Sequence, residues 1–416
     1  MLIHRSFQCV LLSMCLVLCT VLIPDSHRVW GQTAYQQGVS LHSVKPTLLD
    51  GFGFAVAVEG DSILVGAPHT AGTRGQVGQA LLFQRETGKV IHTFSPPSPV
   101  GDDLFGLSVD LTERFVIVGA PRGEGKFGYG SGVVGVFDRQ TGKLVRDIMS
   151  PNKTASVFGH AIATHGPWLA ISDPGAGLAT QFDRGEVYLF EIETGKLLRT
   201  FVSPDRQAGV ADGFGHALAF MGSLLAIGAP LAGNDPLDHG KVYIFDSQSG
   251  KLMRTLTASY PQSKEYFGLS LASDQESLLV GALGRRIGNN DEAGAAYLFN
   301  DAGMVETIFD APNPQKGGHF GEAVALMDNY FAVGSPGDDA AGVDAGTIFI
   351  FDKQTRQLQF IIPNPSTTTG AADLFGLSMK GKNNLLVVGS PYGDLVEMPD
   401  AGTVHQFHFD QPSSTR

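Results

Sequence analysis

The chain has 416 residues, 29 basic and 41 acidic, for a net charge of −12, and it contains 53 glycines and three cysteines. That acidity argues against nucleic acid and anionic membrane surfaces as partners. Cys9, Cys15 and Cys19 all lie in the first 31 residues, so the rest of the chain has no disulfide and is held by its core.

Residues 1–31 read as a secretory leader. Arg5 precedes the apolar run Phe7–Ile23, and Gly31 is a small residue before Gln32. A retained anchor is the alternative, because the 17 residues of that run are at the short end for a membrane span. Without Arg5, Arg28 and Asp25 the remainder carries 27 basic and 40 acidic residues, a net of −13. Residues 32–416 show no linker or low-complexity stretch and read as one domain. The expected location is secreted, periplasmic or cell-surface.

The first element after the leader is GVSLHSV, Gly38–Val44, a short strand with no repeat partner of its own. A repeat then begins. Phe-Gly followed by Gly-Ala-Pro or a close variant starts at Phe52, Phe105, Phe158, Phe214, Phe267, Phe320 and Phe375, and the second half always falls 14 residues on, at Gly66, Gly119, Ser172, Gly228, Gly281, Gly334 and Gly389. Copies lie 53 to 56 residues apart. A fixed period of this length marks one supersecondary unit repeated until its edges are covered.

Each unit continues with a Gly-led apolar run, from GQALLF at Gly78 to GTVHQF at Gly402. Four of these runs lead into a Thr-Gly-Lys or Ser-Gly-Lys turn, ending at Lys89, Lys143, Lys196 and Lys251, and a short apolar segment follows. Four β-rich runs separated by Gly, Asp and Pro read as four antiparallel strands. Seven such units predict an all-β fold, a seven-bladed β-propeller. The seventh unit stops after its third strand, at HQFHFD, so the strand at Gly38–Val44 is expected to close the ring and remove both open edges.

These motifs resemble the FG-GAP repeat family, whose repeats build the seven-bladed propeller at the N-terminus of integrin α subunits. The resemblance runs from Phe52 to Phe407. It implies an extracellular binding or adhesion module. It also implies that the second-to-third-strand loops share a ligand-binding face with the loops entering each Phe-Gly. The family's calcium loops sit between the two halves of the motif. Here that interval holds only tight hairpins, at Glu59, Thr112, His165, Met221, Asp274, Met327 and Lys382, so those sites do not carry over.

Repeated Phe, Gly and Pro read as structure. Asp50, Asp103, Asp212 and Asp373, two residues before Phe, read as turn caps accepting an N–H two residues on. The variable loops supply the candidate ligand residues: Asp235, Asp238, Asp338, Asp339, Asp344 and Asp394 in later repeats, Arg74 and Arg122 in the first two. For any one of them ordinary solvated loop is the default reading, since exposed charge is usual in loops. A divalent cation at the acidic loops remains open, and no other cofactor is expected. His160, His216 and Glu322 directly follow Phe-Gly and are read as a polar spot near the axis, with a hydrogen-bonded histidine pair preferred to a metal set. No nucleophile–base motif appears and no thiol follows the leader, so the reading is a non-enzymatic module for an extracellular protein or glycan. The alternatives are an exported enzyme acting on polysaccharide or phosphoester, and a structural envelope component.

Overall fold

The computed structural model describes residues 35–410 apart from 73–74, 127, 129, 153–155, 177–184, 206–211, 234–238, 367–371 and 396–399. Seven four-stranded antiparallel sheets stand around one axis. Blade 1 runs outward through Ala55–Glu59, Ser62–Ala67, Gln79–Gln84 and Lys89–Phe94. The inner strands of blades 2 to 6 are Ser108–Leu111, Ile162–His165, Leu218–Met221, Leu271–Ser273 and Val324–Leu326. Among the described residues no helix is long and apolar enough to cross a membrane.

The strand sequences follow their surroundings. Second strands such as Ser62–Ala67 are buried along their whole length, because neighbouring blades cover both faces. Fourth strands such as Lys89–Phe94 alternate toward solvent at the rim. Each repeated Phe inserts between blades. Phe105, for example, packs among Leu64, Ala80 and Leu82 of blade 1 and Val116 and Phe137 of blade 2.

The two halves of the motif meet each other across blades. A Cβ added at Gly66 would stand 1.9 Å from the carbonyl oxygen of Gly106 in the next blade, and one at Gly389 would stand 1.9 Å from that of Gly53. At these two seams the second strand and the Phe-Gly turn of the next blade approach this closely because both positions lack a side chain. In the three blades that carry Ser after Phe-Gly-Leu, the hydroxyl adds a clasp. Ser108 Oγ donates to Gly159 O at 2.6 Å, Ser270 Oγ to Gly321 O at 2.8 Å, and Ser378 Oγ to Gly53 O at 2.7 Å, the last across the closure.

Blade 7 consists of Ser378–Lys382, Leu385–Ser390, Thr403–Phe409 and, as its outer strand, Tyr35–Gln37. The N-terminal strand therefore closes the ring, but it starts earlier than the expected Gly38–Val44. Tyr35 pairs with Phe409 and Gln37 with Phe407, and contact continues through Gly38 N–H to Gln406 O and a bridge at Leu41–Val404. Tyr35 fixes this register by packing its ring 5.7 Å from Phe360 and 5.8 Å from Phe407. Val39 and Val44, whose apolar character marked the expected strand, are 43% and 62% exposed.

Candidate functional site

The loop face is built from the second-to-third-strand loops and the loops entering each blade, tied together by backbone hydrogen bonds. Within a blade, the residue after the Pro position donates to the entering loop: His69 N to Asp50 O, Arg122 N to Asp103 O, Leu231 N to Asp212 O. Between blades, His319 N donates to Glu292 O, Leu374 N to Asp344 O and Leu49 N to Asp400 O. Glu292, Asp344 and Asp400 sit in the left-handed region at these seams, with φ of 55°, 50° and 51°.

Under each loop lies a buried carboxylate. Asp50, Asp103, Asp173, Asp212, Glu265, Asp338 and Asp373 take this role in blades 1 to 7, all at most 5% exposed. Asp50 and Asp212 accept the N–H two residues on, from Phe52 and Phe214, each at 3.0 Å, as the turn-cap reading requires. Asp103 instead accepts Val100 N–H at 3.1 Å, and Asp373 accepts Asn364 Nδ2 at 2.7 Å. Glu265 replaces Asp in blade 5 and is held by Tyr297 and by Arg285 at 3.1 Å. In blade 3 the entering position is Ser156, and the carboxylate comes from Asp173 of the Ser-Asp-Pro variant, which accepts Val157 N–H at 3.1 Å. Desolvation raises Asp50, Asp103 and Asp212, and raises Asp173 and Asp373 to about 6.

Asp338 is thereby corrected: it is a brace and not an exposed loop acid. It is 2% exposed and accepts Thr347 Oγ1 at 2.7 Å, Ala340 N–H at 3.0 Å and Gln315 Nε2 at 2.6 Å. Its neighbour Asp339 is exposed and accepts Asp344 N–H at 2.9 Å. Asp344 and Asp394 are half-buried, and Asp394 accepts Asp400 N–H at 3.0 Å. Arg122 is exposed on blade 2. Arg74, Asp235 and Asp238 lie outside the described residues.

The axial triad is only partly brought together. The His160 and His216 rings lie 5.0 Å apart, yet each bonds the backbone of the next blade and not its partner ring: His160 to His216, and His216 Nδ1 to Leu269 O at 3.2 Å. Burial lowers both, His160 to about 4, where the His216 charge adds to the effect. Glu322 stands apart in blade 6, raised by burial and opposed by His319. No cluster of three metal-ligating side chains occurs among the described residues.

Toward the other end of the axis is a feature absent from the sequence reading, a cavity of about 300 Å3 lined by the inner strands of all seven blades. Its lining comes from positions four to seven residues after each Phe, and the repeats diverge from the fifth of these onward.

Residues 251–299 and 306–351 match the FG-GAP repeat family. The chain carries FG-GAP repeats. The first match opens at the outer strand of blade 4, Leu252–Leu256, and ends in the third strand of blade 5, Ala295–Asn300. The FG-GAP sequence unit is thus displaced by one strand from the blade. That displacement leaves the last blade one strand short, and the N-terminus supplies it. Seven blades in a closed ring agree with the integrin α propeller that the motifs resemble. The first-to-second-strand hairpins are tight, with Glu59 opposite Ser62 and Lys382 opposite Leu385. No curated protein matches the chain.

Proposed function

We propose that this FG-GAP propeller is a non-enzymatic binding module that meets an extracellular protein or glycan with its loop face. The observation that carries the reading is the contrast within each loop. A buried carboxylate and backbone pairs to the neighbouring blade fix its base, while its exposed residues change from blade to blade, from Arg122 to Asp291, Glu292 and Asp339. Variable side chains on a rigid frame allow specificity at no cost to the core. FG-GAP repeats are typical of extracellular proteins, and the leader-like residues 1–31 support export.

The test is a screen of the immobilised chain against extracellular proteins and glycans, with and without chelator. A hit should weaken when Asp339, Asp344 and Asp394 are changed together to Asn, or Arg122 to Gln. A ligand indifferent to all four changes but lost on substitution of Glu59 and Lys382 would place recognition on the opposite face and overturn the reading.

A further inference from the structure

We propose that the axial cavity is a second binding site, independent of the loop face, and that it takes one carboxylated sugar ring, a uronate. Three features of its wall define that ligand.

The first is the lining. The inner strand of every blade is the terminal strand of its sheet, so its free edge turns unpaired N–H and C=O groups toward the axis. Side chains satisfy some of them. Asp110 Oδ2 accepts Thr164 N–H at 2.7 Å and its hydroxyl at 2.8 Å, and Ser273 Oγ donates to Phe220 O at 2.7 Å. The remainder is a wall of uncharged donors and acceptors, which suits hydroxyl groups. A volume of about 300 Å3 is at the small end for ligand sites and matches a single ring.

The second is an aromatic group at the seam of blades 3 and 4. The rings of His165, Trp168 and Phe220 lie 5.7 to 6.4 Å apart with planes within 35° of one another. His165 and Phe220 line the cavity directly. Such rings offer a flat apolar face to the C–H side of a pyranose.

The third is charge. The Asp110 carboxylate is committed, with Oδ1 accepting Leu111 N–H at 3.0 Å and Oδ2 taking both Thr164 donors. Lys380 lines the cavity from blade 7, is exposed, and makes no ion pair among the described residues, in a chain of net charge −12. An uncommitted ammonium beside hydroxyl-binding groups selects a ligand carboxylate.

The experiment uses the full chain with Trp30→Phe, which leaves Trp168 as the sole tryptophan of the two. Its emission is titrated with galacturonate, trigalacturonate and glucose. A saturable change with galacturonate is expected, about tenfold weaker in Lys380→Gln and weaker still in Phe220→Ala, on loss of a charged hydrogen bond and of the stacking face respectively. Trigalacturonate binding as tightly as the monomer identifies the end of an acidic glycan; monomer binding alone identifies the free acid. Either supports the proposal. Lys380 is exposed, so its variant folds even if loss of Phe220 harms the core, and Asp339→Asn on the loop face should leave the titration unchanged. No saturable response to either uronate, an equal response in Lys380→Gln, or glucose binding as tightly as galacturonate would overturn it.

Discussion

Gly389→Ala tests the argument that the two halves of the motif exist to let blades touch. The new Cβ would lie 1.9 Å from Gly53 O and 2.4 Å from Ser378 Oγ, against an ordinary contact of roughly 3.5 Å. Gly389 is not in the left-handed region, so the effect is steric and not conformational. Relief requires the second strand of blade 7 and the Phe-Gly turn of blade 1 to part by more than about 1 Å, which breaks the 2.7 Å hydrogen bond from Ser378 to Gly53. Overpacking of this kind costs about 1–3 kcal/mol and the lost hydrogen bond about 1 more, giving roughly 3 kcal/mol. The measurement is urea unfolding, where the midpoint should fall by roughly 0.5–1 M with little change in slope. Blade 3 supplies the control. Ser172 already places a Cβ at this position, against Gly215, and its hydroxyl accepts Ala161 N–H at 2.9 Å. Ser172→Ala should cost only that bond, about 1 kcal/mol. A Gly389→Ala midpoint equal to wild type, or a Ser172→Ala loss as large, would refute the reasoning.

Asp173→Asn probes the buried carboxylates through pH. Between 3.8 and about 6 the folded chain holds a proton on Asp173 that the unfolded chain has lost, so this residue lowers stability as pH rises through that window. The variant should therefore gain on wild type between pH 4 and 7, by up to ~3 kcal/mol in chemical denaturation, and a pH-independent difference overturns the assignment. Asp338→Asn should destabilise by about 2 kcal/mol through its lost acceptors, whereas Asp339→Asn should stay within about 0.5; equal thermal midpoints would contradict the burial difference. Tyr35→Ala removes one ring packed on Phe360, Phe407 and Phe409, should cost about 2 kcal/mol, and should loosen the closing strand enough to expose the Thr403–Phe409 edge. Light scattering should then show oligomers, and a variant that stays monodisperse argues that the Gly38–Leu41 contacts suffice for closure.

The amino-acid sequence determined the blade count, the strand content and the need for an N-terminal closing strand, because period and motif spacing are properties of the chain itself. The fold of a repeat array follows from that period once each unit needs a neighbour to bury its faces. The register of closure was not legible, since it depends on Tyr35 finding three aromatic rings that lie far away in sequence. The seven carboxylates were half legible. Asp50, Asp103, Asp212 and Asp373 share one offset from Phe, but blades 3, 5 and 6 fill the same place with Asp173, Glu265 and Asp338, from a different position or a longer side chain. Burial selects the group and not its offset, and that same burial removed Asp338 from the exposed acids. His160 and His216 fall beside each other just before the inner strands of blades 3 and 4, because equal offsets in adjacent repeats are adjacent in space, and Glu322 lies two blades away by the same rule. The axial cavity belongs to the tertiary structure alone. Asp110, His165, Phe220, Ser273 and Lys380 come from different repeats and share no motif, and only closing the ring brings their strands to a common axis.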